Sequence, residues 1–296
     1  MRGDEASIRP EAKARISLLV PSRGRPALLR RFLDSVLARA ERPDLVEVVV
    51  YADDDDPQSH GLELQGLEVQ TLVGPRTTMG RCNTACLERS RGDIVVLGND
   101  DVVICTHAWD GILRRLHASV PDGVYLAYPN DLFKGRSVCA FPILSRSACG
   151  LLAEPFPAAY RGAFIDYHLL DIFRRLEHRG HARLIYLEEL IFEHLHYRTG
   201  KAEFDATYRG RDRFRDDATF LALRSERSAA AATLIAAIEG RTSARLEARS
   251  AAALETRGAL LGATLLDREL PMSWRLRLFL WFIARGLASR VSEGRK

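Results

Sequence analysis

Residues 94–102 of this chain read IVVLGNDDV, an apolar run followed by a glycine and three polar residues. The β-branched run 94–97 predicts a buried strand. Asp100 and Asp101 follow it, and adjacent carboxylates repel each other unless a cation lies between them. Open α/β folds bind their ligands at the carboxyl ends of strands. The stretch therefore indicates a divalent-metal and phosphate site, although Gly-Asn-Asp-Asp is also ordinary turn sequence.

The composition is that of a folded protein, with 47% hydrophobic and 28% charged residues in a chain of 296. The net charge of +4 is spread along the chain, which favours small anionic ligands or lipid headgroups. Nucleic acid is not expected as a partner, because basic and aromatic residues alternate only near the C-terminus. The five cysteines form no zinc-type C-x-x-C pair, which favours reduced thiols and a cytoplasmic location.

The first half of the chain alternates strands and helices. Apolar runs at 16–20, 46–50 and 67–73 predict three further strands, and helical spacing predicts helices at 26–38 and 79–89. The first strand–helix–strand segment is a βαβ unit, which gives parallel strands. We therefore expect an α/β fold with a mostly parallel, Rossmann-like central sheet flanked by helices.

The second half is less regular. Its apolar pattern predicts a strand at 137–144, a helix at 166–179, and two short strands at 183–187 and 190–192. The polar, arginine-rich segment 198–215 is typical of a mobile loop that folds over an anionic ligand.

The chain divides into a flexible N-terminus at 1–15, one α/β domain at 16–215 and a C-terminal helical extension at 216–296. The N-terminus lacks the apolar core of a signal peptide, and no apolar run approaches the ~20 residues that span a bilayer. The amphipathic segment 271–290 mixes Trp and Phe with Arg. It fits packing on its own domain or in a homodimer, which we favour, or contact with the inner membrane surface.

Polar residues follow four of the predicted strands, and parallel strands end at the same edge of a sheet. In chain order these residues are Pro21, Ser22, Arg23 and Arg25; Asp53, Asp54, Asp55 and Asp56; Arg76, Arg81 and Asn83; and Asn99, Asp100 and Asp101. Carboxylates on two loops and guanidiniums on two others suit a nucleoside diphosphate, because carboxylates accept hydrogen bonds from a base or ribose and Arg pairs with phosphate. A four-Asp run alone would more often be a solvated turn, but the convergence of four loops favours a binding site.

Two histidines follow the predicted strand at 190–192. His194 and His196 point the same way if the chain there is extended. Either could complete an octahedral Mn²⁺ or Mg²⁺ site with an aspartate and diphosphate oxygens, and the alternative is a pair of structural or surface histidines. Zinc fits less well, because no third His or Cys lies at ligand spacing.

The order of these motifs resembles the GT-A fold of nucleotide-sugar glycosyltransferases, in particular the inverting glycosyltransferase family two. The resemblance covers about residues 16–200 and rests on VPSRGR at 20–25, YADD at 51–54, RCN at 81–83 and RGDIVVL at 91–97. It implies transfer of a sugar from a nucleoside diphosphate sugar, by default a UDP-sugar, to an acceptor hydroxyl. The acceptor itself, whether glycan, lipid or small molecule, has no motif in the sequence.

The resemblance also assigns roles to residues. Its D-x-D motif has an aspartate where this chain has Gly98, which leaves Asp100 as metal ligand beside Asp101. It implies a reaction that depends on Mn²⁺ or Mg²⁺, with a histidine ligand at His194 or His196.

The family's catalytic base precedes an arginine-rich helix, where this chain offers Asp166 and Asp171. We favour Asp166, because Asp171 lies inside the apolar-periodic helix and could pair with Arg174 or Arg175. Two alternatives stay open. A nucleotidyltransferase usually carries a Gly-rich, Lys-containing loop after the first strand, which is missing here, whereas Gly98 is compatible with a non-catalytic sugar-nucleotide or glycan-binding module.

Overall fold

The structure is a computed structural model that describes residues 13–162, 164–205, 209, 214–241 and 256–293. Most of the N-terminus predicted to be flexible, and part of the predicted mobile loop at 198–215, lie outside these residues. The strands are β1 (Ile16–Ser22), β2 (Val46–Asp53), β3 (Glu68–Gly74), β4 (Ile94–Leu97), β5 (Val102–Ile104), β6 (Leu126–Asn130), β7 (Ile143–Ser145) and β8 (Leu184–His194). The described helices are α1 (Pro26–Arg39), α2 (Met79–Arg89), α3 (Trp109–Ala118), α4 (Arg146–Leu151), α5 (Ile165–His178), α6 (Arg215–Ala222), α7 (Arg224–Ile238), α8 (Arg257–Leu265) and α9 (Met272–Glu293).

The strands form one eight-stranded sheet in the order β3-β2-β1-β4-β7-β6-β8-β5. β1 pairs in parallel with β2 and β4, β2 with β3, and β6 with β8. β7 runs antiparallel to β4 and β6, and β5 runs antiparallel to β8. The predicted α/β fold with a mostly parallel sheet flanked by helices and followed by C-terminal helices is confirmed.

The central strands are mostly apolar, as expected for a sheet whose two faces are both covered. Every residue of β2 and β4 is buried. Two apolar clusters lie on the two sides of the sheet, one containing Leu19 and Val49 and the other Leu18 and Val48. The parallel arrangement brings the carboxyl ends of β1, β2 and β4 to one edge.

Two strand predictions in the second half are wrong. The predicted strand at 137–144 is reduced to β7, because the chain makes a turn at Gly135–Ser137 and Phe141 has φ of 54°, which breaks an extended backbone. The strands predicted at 183–187 and 190–192 are one strand, β8. Exposed Glu188 and Glu189 interrupt its apolar pattern without interrupting its backbone.

The C-terminal helices pack into the same core as the sheet. Trp274, Leu278 and Phe282 of α9 are buried in the apolar cluster that also contains Leu19 of β1 and Phe173 of α5. Such shared burial places the last helix against the helix that carries the candidate bases. Within the described residues, no helix is long and apolar enough to cross a membrane.

Candidate active site

The end of β1 contacts the paired carboxylates that follow β4. The Ser22 hydroxyl donates to Oδ2 of Asp100 at 2.8 Å. Nη1 of Arg25 lies 3.2 Å from Oδ1 of Asp100 and 3.5 Å from Oδ2 of Asp101. The structure therefore brings together the predicted residues of the first and fourth loops, which are about 75 positions apart in sequence.

Asp100 and Asp101 are only 5% and 4% exposed, so their charges are poorly solvated. Burial, and next the charge of Asp101, raise the pKa of Asp100, while Arg25 and Ser22 act in the opposite direction. Burial also disfavours the charged form of Arg25, but its hydrogen bond to Asp205 and the nearby carboxylates raise its pKa above the usual value. The buried guanidinium of Arg25 therefore stabilises the carboxylates of Asp100 and Asp101. A positive charge is favourable beside these two carboxylates.

The second loop is tied to the first by Arg23. Its Nη1 lies 2.6 Å from Oδ2 of Asp53, and its guanidinium also contacts both oxygens of Asp55. The hydrogen bond from Arg23 lowers the pKa of Asp55, and the charge of the exposed Arg76 acts in the same direction. Asp54 is exposed at the same edge. Asp53 itself is only 7% exposed, whereas Arg23, Asp54, Asp55 and Arg76 form an accessible mixed-charge surface beside the buried pair.

Other predicted donor-binding residues do not join this cluster. Arg81 lies on the exposed face of α2, in a shallow surface cleft that Glu88 and Glu154 also line. Asn83 is 3% exposed, and its Nδ2 donates to the carbonyl of Met79 inside α2. Pro21 lies within β1, and Asn99 is half-buried between Gly98 and Asp100.

The two histidines have different surroundings. Nε2 of His194 lies 3.5 Å from Oδ1 of Asp101. His196 instead stacks between Phe133 and Tyr197, with centroid distances of 5.0 and 4.5 Å, and its Nδ1 accepts the backbone N–H of Arg198. The structure therefore places His194, rather than His196, beside the carboxylates.

Asp100, Asp101 and His194 supply the oxygen and nitrogen ligands that Mn²⁺ and Mg²⁺ accept in proteins. Their chemistry fits the predicted cation. In the part of the chain that the structure describes, however, no three His, Cys, Asp or Glu side chains are grouped closely enough to hold an ion. The guanidinium of Arg25 lies against both carboxylates instead, so a divalent ion on this pair requires Arg25 to move.

Asp166 lies in the first turn of α5 and is half-buried. Its Oδ1 accepts the backbone N–H of Tyr167 at 2.8 Å. A carboxylate near a helix N-terminus is stabilised in its ionised form by the helix dipole. Asp166 therefore has the partial exposure that a general base requires.

Asp171 is fully buried, and its contacts are structural. Its Oδ2 accepts hydrogen bonds from Nε of Arg227 at 2.7 Å and Nε of Arg175 at 3.2 Å, and its Oδ1 accepts one from Nε1 of Trp274 at 2.9 Å. Burial alone would raise the pKa of Asp171, but the charges of Arg227 and Arg175 outweigh it and lower the pKa. Asp171 thus joins α5 to α7 and α9, and its side chain has 0% exposure.

Comparison with family models and with curated protein sequences gives no match. Among solved structures, S. aureus TarS superposes with a TM-score of 0.53 at 12% identity, over 92% of this chain and 43% of TarS. TarS 1–349 in complex with UDP-GlcNAc gives a TM-score of 0.52 at 10% identity, over 93% of this chain and 73% of that chain. The mannosyltransferase PcManGT from Pyrobaculum calidifontis, in complex with GDP-Man and Mn²⁺, gives 0.49 at 15% identity, over 93% and 86% of the two chains.

The chain has the GT-A-like fold of nucleotide-sugar glycosyltransferases. The resemblance predicted from the sequence is therefore confirmed for the fold. The chain spans less than half of the first TarS chain that it matches.

Gly98 is the position at which this GT-A-like chain departs from the D-x-D pattern. A Cβ at Gly98 would lie 3.2 Å from Cγ2 of Val20 and 3.5 Å from Cζ of Phe32. A carboxylate there would enter apolar surroundings at a high desolvation cost. The local packing thus explains why residue 98 is a glycine. The surroundings of residue 98 do not suit the side chain of a metal ligand.

Sequence reasoning missed two aspartates of the site. Asp205 binds Nε and Nη2 of Arg25 at 2.7 and 3.0 Å, a pairing across 180 positions that no sequence pattern signals. Asp131 is 1% exposed, its Oδ1 accepts three backbone N–H groups of residues 133–135, and its carbonyl accepts the N–H of His194. An aspartate directly after a strand and before a Gly-containing turn was the available signal for Asp131.

Proposed function

We propose that this protein is a glycosyltransferase that moves a sugar from a nucleoside diphosphate sugar to an acceptor hydroxyl with inversion at the anomeric carbon. The observation that carries the proposal is the buried pair Asp100 and Asp101 at the carboxyl edge of a GT-A-like sheet, bound by Ser22 and Arg25 and adjacent to His194. TarS 1–349, which has the same fold, is in complex with UDP-GlcNAc. A donor of that chemical class suits the mixed-charge edge.

The donor would lie across the ends of β1, β2 and β4. In this proposal Asp53 and Asp54 would accept hydrogen bonds from the base or ribose. Arg23 and Arg76, on the accessible side of the cluster, would pair with the diphosphate. A UDP-sugar is the proposed donor because of the family resemblance.

Asp100, Asp101 and His194 would hold Mn²⁺ or Mg²⁺, whose charge would stabilise the departing diphosphate. Arg25 already supplies one positive charge at this position, so its guanidinium would have to move from the two carboxylates when the ion binds, with Asp205 as its remaining partner.

Asp166 would accept the proton of the acceptor hydroxyl, which then attacks the anomeric carbon from the face opposite to the diphosphate. The start of α5 fixes its position, and the N–H of Tyr167 favours its ionised form. Asp171 has no part in this proposal, because its carboxylate is used by Arg175 and Arg227.

The test is release of free nucleoside diphosphate from a panel of sugar nucleotides, with and without Mn²⁺, by the wild-type chain, Asp100→Ala and Asp34→Ala. Asp34 is an exposed carboxylate paired with Arg30 and serves as the matched control. We expect release by wild type and Asp34→Ala and its loss in Asp100→Ala. Release of sugar 1-phosphate, the leaving group when the nucleotidyl group is transferred, would instead indicate a nucleotidyltransferase, and donor binding without turnover would indicate a binding module. A product that retains the donor's anomeric configuration would exclude the proposed role of Asp166.

A further inference from the structure

The C-terminal helix α9 has two apolar faces. Its inner face, with Trp274, Leu278 and Phe282, is buried against the domain. Its outer face carries a line of exposed apolar side chains, here called the α9 stripe. The members of the stripe, with their exposed fractions, are Met272 57%, Leu276 45%, Leu280 62%, Ile283 38% and Leu287 60%.

The spacing of the α9 stripe is that of one continuous helix face, because its members are three or four positions apart. Arg277 and Arg290 are both exposed and lie on opposite edges of the stripe. At 3.6 residues per turn, they are about 60° and 80° to either side of Leu280. The whole of α9 contains four arginines and a single acidic residue, Glu293. The outer face is thus an apolar line with basic edges.

We propose that the α9 stripe docks the protein on the surface of an anionic lipid bilayer. In this arrangement α9 lies in the plane of the interface, with Leu276, Leu280, Ile283 and Leu287 at the boundary between headgroups and acyl chains. The long side chain of Arg290 reaches outward to the lipid phosphates, whereas Arg277 lies over the Trp274 ring and donates to the carbonyl of Ser137. The proposal does not depend on the proposed catalytic activity.

A second copy of the chain fits this face less well than lipid does. The segment 272–287 is about 24 Å long and about 10 Å wide, which gives a face of about 240 Å². A stable protein interface buries about 800 Å² on each partner. A symmetric contact would also bring the same basic edges together, because each partner uses the same patch and like charges that face each other oppose association. Lipid phosphates complement those edges.

The stripe is also connected to the candidate site by packing. Trp281 of α9 stacks on Tyr167 with 4.7 Å between ring centroids, and Tyr167 follows Asp166 in α5. Docking through the outer face would therefore hold the start of α5 about one helix diameter, about 10 Å, from the lipid surface.

The experiment is co-sedimentation of the full chain with vesicles of phosphatidylcholine alone and of phosphatidylcholine mixed with phosphatidylglycerol. The variants are the double substitution Leu276→Ser and Leu280→Ser, the single substitution Arg290→Glu, and the control Val73→Ser. Val73 is an apolar residue of β3 that is 53% exposed and lies outside the stripe. Circular dichroism and thermal unfolding establish that each variant is folded, which exposed substitutions permit.

We expect wild type and Val73→Ser to sediment with the anionic vesicles and not with the neutral ones. The double variant and Arg290→Glu should each partition about tenfold less onto anionic vesicles. Failure of wild type to bind anionic vesicles, equal binding to neutral vesicles, or undiminished binding by the folded double variant would overturn the proposal. Self-association of wild type that the double variant abolishes, without vesicle binding, would assign the stripe to a homodimer instead.

Discussion

Asparagine substitutions of the two candidate bases, Asp171 and Asp166, should have different effects on the stability of the fold. The substitution keeps the side-chain volume but removes the buried negative charge that faces Arg175 and Arg227. The asparagine amide also presents N–H groups to guanidiniums that can only donate. We therefore expect Asp171→Asn to destabilise the fold, whereas Asp166→Asn, at a half-buried helix start, leaves stability nearly unchanged.

The size of the effect follows from what each arginine retains. Arg175 keeps its contacts with Asp267 at 2.7 Å and Glu269 at 2.9 Å. Arg227 keeps the carbonyl of Phe220, but Asp171 is the carboxylate it contacts at 2.7 Å. Breaking a buried pair from one side costs about 3–5 kcal/mol, and the partners retained by Arg175 favour the lower end, about 3 kcal/mol. At about 2–4 °C per kcal/mol, the melting temperature falls by about 6–12 °C.

The assay pairs thermal unfolding with turnover of the sugar nucleotide identified by the donor panel. Asp166→Asn should keep the wild-type melting temperature within about 2 °C. Its turnover should fall by about 10²- to 10⁴-fold, the usual contribution of a general base. Asp171→Asn, measured below its own melting temperature, should keep far more activity. A wild-type melting temperature combined with lost turnover in Asp171→Asn would refute this reasoning and make Asp171 the base.

Four further outcomes are expected. Gly98→Asp should lower the melting temperature by several degrees, because the new carboxylate would face apolar neighbours. The substitution should not strengthen Mn²⁺ binding, and tighter binding would contradict this explanation of Gly98. Arg25→Ala should bind Mn²⁺ about tenfold more tightly in calorimetry than wild type or the control Arg30→Ala, because the substitution removes a guanidinium that competes for the two carboxylates. Unchanged affinity would refute this competition. His194→Ala should weaken Mn²⁺ binding about tenfold or more while His196→Ala leaves it unchanged, and the reverse order would exchange their roles. Because the pKa of Asp171 is lowered in the folded state, ionised Asp171 stabilises the fold fully above the ordinary aspartate pKa of about 4, and this stabilisation is lost as pH falls further. Denaturant titrations should therefore show that the free energy of unfolding decreases below that pH, and that it decreases less steeply in Asp171→Asn.

Much of the fold could be predicted because hydrophobic periodicity is a local property. The helix predicted at 79–89 has those bounds as α2, and the first strand and helix differ from β1 and α1 only at their ends. The pattern fails at β8, which is one strand although two exposed glutamates interrupt its apolar pattern. The register of β8 with β6 shifts at this point, because Leu187 pairs with Pro129 and Ile191 with Asn130.

The location of the candidate site could be predicted from the sequence, but many of the side-chain contacts within the site could not. Strand ends in a parallel sheet converge by topology, so the meeting of Ser22 with Asp100 follows from the order of the elements. Which carboxylate Arg25 contacts depends on side-chain packing over long sequence separations, as its pairing with Asp205 illustrates. The same limit applies to Asp171, whose partners Arg227 and Trp274 are 56 and 103 positions away.

Carboxylates outnumber the guanidiniums that they contact at this edge of the sheet, and this excess affects the free energy of ligand binding. Two guanidiniums contact more carboxylates than they can neutralise, namely those of Asp53, Asp55, Asp100, Asp101 and Asp205. A diphosphate that enters such surroundings adds negative charge, so its binding is favoured by simultaneous uptake of a cation or a proton. By reciprocity, the factor by which the cation strengthens donor binding is the factor by which the donor strengthens cation binding. If the proposed function is right, donor and counter-ion are cooperative ligands of this edge, and the affinity for either one has a meaning only at a stated concentration of the other.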